Sequence, residues 1–113
     1  SRVSSSVIIP MDNLIGFSTG VALVNESSDT LANVTAILRD DNGNELMRDT
    51  VAIPPNGHTS FSMPDRWVVV KGRRGFVEFQ TNLPAGIAGL GLRFNPTLSF
   101  TSVPAITRKR PTR

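Results

Sequence analysis

The sequence predicts an all-β fold: a single antiparallel β-sandwich of the Ig-like or Greek-key type, with seven or eight short strands. Three observations lead there. Apolar and polar residues alternate with period two in stretches such as TVAIPP, HTSFSM, GFVEFQT and AGLGLRF, the pattern of strands with one buried face. Turn residues cut these stretches at intervals of about 8–12 residues, the spacing of a sandwich. The side chains that perform most catalysis are scarce, since the 113 residues include no Cys, no Tyr and a single His.

Residues 4–9 (SSSVII) read as a first strand closed by Pro10, followed by a turn at MDNLIG. The stretch 17–25 alternates and places Phe17, Thr19, Val21 and Leu23 on one face; ESSDT after it is rich in polar turn formers. Strands at 33–39 and 46–53 flank DDNGNE, where Asn-Gly between alternating runs is the strongest short-range hairpin signal. A second tight turn at PPNG leads into 58–62, with Thr59, Phe61 and Met63 pointing one way and His58, Ser60 and Ser62 the other. Pro64 suits the first position of a short helical turn running to Val70, although the valines of WVVV equally suit a strand. KGRRG is an exposed basic loop.

The next strand, 75–81, turns Val77 and Phe79 inward and Glu78 and Gln80 outward. After a turn at 82–86, residues 87–94 put Ala88, Leu90, Leu92 and Phe94 on the core face. Asn95-Pro96 then turns the chain into a last strand at 100–105. An up-and-down barrel is the less favoured arrangement of the same strands.

A chain of this length forms one domain and buries roughly two-thirds of its unfolded surface. The expected division is an N-terminal extension or first strand over 1–9, the sandwich over 10–106 and a basic tail over 107–113. Hydrophobic residues make up 39% and charged residues 19%, which excludes wholesale disorder. No apolar run approaches the ~18–20 residues of a membrane span. Ser1 in place of Met reads as a processed protein or a fragment, so the lack of a signal peptide carries no information. Without Cys there are no disulfides, thiolate metal sites or cysteine nucleophiles. Four of the twelve Lys and Arg residues fall within 108–113; the remaining eight face nine acidic groups, a net of −1. The basicity therefore belongs to the tail, and a domain-wide nucleic-acid footprint is absent.

The series GFSTGVALVN, RDDNGNEL, IPPNGHTSF, RRGFVEF, GLGLRFNP and FTSVPAI resembles an uncharacterised β-sandwich module that recurs in secreted multidomain proteins of bacteria, often near a C-terminus. The similarity covers residues 9–106 in order and rests on turn and core positions. It implies an exported, extracellular or cell-surface β-sandwich used as an accessory, surface or assembly domain. It brings no catalytic or ligand-binding residues with it, and the basic tail lies outside it.

The candidate sites follow from single residues and short clusters. His58 is the chain's single imidazole, the side-chain type most used for acid–base work, but Ser60 and Ser62 are merely its neighbours on one strand face, so no triad or metal spacing forms around it. No catalytic residue, cofactor or metal is expected. In DDNGNE the calcium-loop pattern places Leu38 at a ligand position, which disqualifies it, and a hairpin turn accounts for the same residues. Gly89 and Gly91 share the expected outward face with Ile87 and Arg93. They mark a bulge, a close approach of another backbone, or a flat platform for a partner.

Lys71, Arg73 and Arg74, with Trp67 just upstream, are the candidates for an anionic ligand. The segment with Val7, Ile8 and Ile9 can add to a neighbour's open sheet edge, and Arg108, Lys109 and Arg110 belong to a tail that frays unless something holds it. These features suggest a non-enzymatic exported module. It would self-associate or dock neighbouring modules through sheet edges and extended termini, in a filament or surface layer. The alternative is an accessory module that binds carbohydrate or an anionic polymer. NES and NVT match the glycosylation tripeptide and are incidental on the bacterial origin that the resemblance implies.

Overall fold

Each alternating stretch forms a strand in the computed structural model, which describes residues 5–14, 16–83, 86–95, 100–103 and 106–109. In chain order the elements are β1 (Ser5–Asp12), β2 (Ser18–Asn25), β3 (Ala32–Asp40), β4 (Glu45–Ile53) and β5 (His58–Ser62). Then come α1 (Met63–Arg66), a 3-10 turn (Val68–Val70), β6 (Arg74–Thr81), β7 (Ile87–Phe94), β8 (Phe100–Val103) and β9 (Ile106–Lys109). The strands make two sheets with orders β4-β3-β6-β1-β9 and β5-β2-β7-β8, and every pairing is antiparallel. The protein is an all-β sandwich.

The Asn-Gly hairpin forms as its residues dictate. The amide of Gly43 donates to the Asp40 carbonyl at 3.0 Å, and Asp40 Oδ1 accepts the amides of Asn42 and Asn44, both at 2.9 Å. The side chain thereby completes the turn that its own backbone opens. The second tight turn closes with Gly57 N–H donating to the Pro54 carbonyl at 2.8 Å. A buried Asn25 joins that turn to the β2–β3 loop. Its Nδ2 donates to the carbonyls of Thr30, Ile53 and Pro54 at 2.8–3.1 Å, and its Oδ1 accepts the amide of Ser27 at 2.9 Å. A buried carboxamide this well satisfied stabilises the loops it ties together.

Of the two readings of WVVV, the helical one holds. Trp67 and Val70 are both buried while Val68 and Val69 are exposed. An inward spacing of three matches the 3.0 residues per turn of a 3-10 helix and is incompatible with a strand's period of two. The core between the sheets holds Val7, Ile9, Val34, Leu38, Ile53 and Phe79 from one layer against Val21, Leu23 and Ile87 from the other, closed at one side by Met63, Trp67 and Val70.

Three expectations are corrected. β1 is an interior strand of its own sheet, paired with β6 along Ser5–Asp12 and with β9 along its first half. The first-strand reading therefore holds for residues 5–9, but the expected stop at Pro10 does not: β1 runs on to Asp12 because the proline lies outward at the stretch that β9 leaves unpaired. Residues 107–109, assigned to a basic tail, form β9 together with Ile106 in the five-stranded sheet, while β8 lies in the other. Ser4, Pro96, Ala105 and Arg110 lie outside the described residues.

The third correction concerns β7, whose faces are the reverse of those expected. Ile87 is fully buried and Leu90 is 44% exposed, so Gly89 and Gly91 face the interior. A Cβ on Gly89 would lie 2.9 Å from Val7 Cγ1 and 3.0 Å from Leu23 Cδ2. The glycine admits the side chains of both layers directly over the β7 backbone.

Gly89→Ala is expected to destabilise the fold by about 1–3 kcal/mol through overpacking. Adding Val7→Ala should recover part of that loss, giving a less than additive double mutant in urea melts. Gly75→Ala should cost more than Gly89→Ala, because the obstacle there is the β3 main chain at Arg39 and Asp40 instead of movable side-chain ends. Equal stability of Gly89→Ala and wild type would contradict the inward orientation of β7.

Candidate functional site

The reversal of β7 builds the most distinctive surface of the molecule. With Gly89 inward, Leu90, Leu92 and Phe94 face out from the four-stranded sheet beside Gly20, Ala22 and Val24 of β2. The β5 residues opposite these are Ser62, Ser60 and His58. Leu90 and Val24 are 44% and 43% exposed. The Phe94 ring lies over Gly20, where a Cβ would meet its Cε2 at 3.2 Å. Gly20, Ala22, Ser60, Ser62, Leu92 and Phe94 border a shallow trough of about 320 Å³. Among the described side chains projecting from this face, none is Asp, Glu, Lys or Arg.

The outer face of the five-stranded sheet has the opposite character. Arg39 Nη1 donates to Glu78 Oε1 at 2.7 Å, and Gln80 Nε2 donates to Glu78 Oε2 at 3.0 Å. Charges on that face keep it hydrated; their absence from the other leaves apolar area available for contact. Sequence reasoning placed Leu90, Leu92 and Phe94 in the core. The signal that corrects this is the Gly89/Gly91 pair itself, because glycines repeated on one strand face mark close approach of a neighbouring layer.

The other residues singled out from the sequence do not converge. Val7 and Ile9 are fully buried and Ile8 is partly buried, so β1 has no face to offer a neighbour. Arg108 and Lys109 lie on β9, paired through their backbones with Ser6 and Ser5. Trp67 is 3% exposed and cannot stack on a glycan. Its Nε1 donates to Asp49 Oδ2 at 2.8 Å, and its ring meets Phe61 edge-on with centroids 5.1 Å apart. Lys71, Arg73 and Arg74 are exposed, as expected, with Arg73 Nε donating to the Val69 carbonyl at 2.9 Å. Phe17 is 39% exposed before the start of β2, off the core face, where the Arg93 guanidinium lies 5.6 Å from its ring.

His58 is exposed opposite Val24. The carboxylate of Asp40 is held below its ordinary range chiefly by the Asn44 amide, and as a turn acceptor it is already occupied. Among the described residues no group of three His, Asp or Glu side chains is placed to hold a metal ion. A polar cleft of about 250 Å³ lies between the layers near Asp12, Thr19, Asp41, Arg74 and Arg93. Its two carboxylates and two guanidiniums balance, with Arg93 Nη1 3.9 Å from Asp12 Oδ2.

No family model, curated protein or solved structure matches the chain. Fold and surfaces define the class of protein: a single β-sandwich domain with one charged and one uncharged sheet face.

The Trp67–Asp49 contact is testable through pH. The indole N–H, then the Thr50 amide, lower the pKa of Asp49. A depressed carboxylate stabilises the fold above its unfolded value near 3.9 and loses that contribution as pH falls through the folded value. Trp67→Phe should move the Asp49 titration up toward 3.9 by NMR. Asp49→Asn should lose less stability than wild type between neutral pH and pH ~2.5. An Asp49 titration unchanged in Trp67→Phe would show that the indole is not its partner.

Proposed function

We propose that this chain is a non-enzymatic, exported structural and interaction module. It joins copies of itself or neighbouring modules of the same kind, outside the cell or at its surface, in a filament or layer. The observation that supports this reading is the uncharged outer face of β5-β2-β7-β8, with Val24, Leu90, Leu92 and Phe94 across it. Sheets pack face to face about 10 Å apart with strands about 30° askew, and a face without charge meets its own copy without like-charge opposition. A two-fold contact of one patch with itself closes a pair, the commonest symmetry of oligomers, and modules strung in series carry such pairs on into a filament or layer. Docking by the N-terminal strand on a neighbour's edge is withdrawn, because β1 is paired within its own sheet.

Size sets the expected strength. The four strands, of 5, 8, 8 and 4 residues, about 4.8 Å apart and rising about 3.4 Å per residue, cover on the order of 400 Å². Stable interfaces bury roughly 800 Å² per partner. The sheet face alone therefore makes a weak contact, strengthened where modules are tethered in series. The anionic-polymer alternative keeps Lys71, Arg73 and Arg74 but loses its aromatic platform with Trp67 buried.

Sedimentation velocity over concentrations up to about 1 mM should show reversible association of the wild type. A Leu90→Lys, Leu92→Lys double variant should remain monomeric with an unchanged fold, since Leu90 already faces solvent. Lys71→Gln, Arg73→Gln and Arg74→Gln should leave association untouched. A wild type that stays monomeric throughout would refute the proposal.

A further inference from the structure

A second apolar surface lies at one end of the sandwich, away from the sheet face. Val68 is 70% exposed, and Val69 (36%), Leu14 (40%) and Phe17 (39%) share that end. Two main-chain hydrogen bonds fasten their loops together: Asn13 N–H donates to the Arg73 carbonyl at 2.9 Å, and Gly72 N–H donates to the Asn13 carbonyl at 2.8 Å. Trp67 and Val70, both buried, anchor the 3-10 turn from below and drive Val68 and Val69 outward. The projection is thus built into the fold and does not depend on a loose loop.

Cations follow the projection in sequence. Lys71, Arg73 and Arg74 are exposed, and the Arg73 Nε bond to the Val69 carbonyl holds that guanidinium beside the apolar tip. From residue 66 to residue 77 the sequence contains no acid. Asp12 and Asp41 line the cleft with Arg74 and Arg93, which balance them. Asp40, kept ionised by the Asn44 and Asn42 amides, feels the charge of Arg73, so Lys71 and a partly offset Arg73 are the cations left beside the valines.

We propose that this end docks on an anionic lipid surface, with Val68 and Val69 entering the interface and Lys71 and Arg73 pairing with headgroup phosphates. Exposed valines beside cations suit a partner that takes apolar and cationic side chains together, as a bilayer interface does. Apolar side chains buried at the headgroup boundary and cations at its level reinforce one another. A soluble polyanion would reward the cations and leave the valines in water. The inference stands on different residues from the self-association proposed above.

Co-sedimentation with phosphatidylcholine vesicles containing roughly 30% phosphatidylglycerol, against phosphatidylcholine alone, tests it. The wild type should bind the anionic vesicles and not the neutral ones. Val68→Asp should weaken binding at least tenfold while melting like the wild type, and Val68→Leu should retain it. Lys71→Gln and Arg73→Gln together should weaken binding up to about 25-fold, near fivefold per cation. Leu90→Lys, Leu92→Lys should bind as the wild type does, separating this surface from the sheet face. The proposal is overturned if the wild type ignores anionic vesicles at low salt. It is equally overturned if Val68→Asp binds undiminished, which would mean adsorption by charge alone, as on dextran sulfate.

Discussion

The close approach of β1 and β7 across the two layers governs the rest of this molecule. Val7 and Leu23 lie over the β7 backbone at Gly89, where a side chain would leave them no room. A strand presents alternate residues to opposite faces. Once Gly89 and Gly91 are committed inward with Ile87, the larger residues Leu90, Leu92 and Phe94 must lie outside. The uncharged sheet face is thus a consequence of how tightly the core closes. A surface composed for contact and a core composed of glycine and isoleucine are two sides of one strand.

A second constraint acts through Trp67. Its ring packs against both Phe61 and Phe79, with centroids 5.1 and 6.3 Å away, and its indole N–H is satisfied by Asp49. Burying so large a side chain while pairing its polar atom fixes the crossover between β5 and β6. The same turn that carries Trp67 and Val70 inward carries Val68 and Val69 outward, with the cations of the following loop beside them. Core packing and surface projection are again coupled through three residues per turn. The two candidate surfaces therefore come from different elements and from different periodicities.

Much of the architecture was legible in the chain. DDNGNE announced its hairpin because Asn-Gly and the Asp40 side chain supply the turn locally, with no help from distant residues. PPNG did the same. Thr59 and Phe61, like Val77 and Phe79, pointed as their alternation required, since polar partners stood on the opposite face. The site was legible only in part. Lys71, Arg73 and Arg74 stood out as a basic run. Trp67 was misassigned to a ligand surface because burial depends on Phe61 and Phe79, both supplied by other strands.

Sequence by itself determined the class of fold, the turns and most inward faces, because short-range alternation and turn chemistry act between residues a few positions apart. Tertiary structure alone decided three things: that β1 lies inside its sheet, that residues 106–109 form a strand beside it, and that β7 shows its leucines to solvent. Each depends on which strands become neighbours and how closely two layers approach. Those are properties of long-range packing, and alternation alone does not encode them when both faces of a strand are free of charge over most of its length; for β7 the Gly89/Gly91 pair was the one local sign.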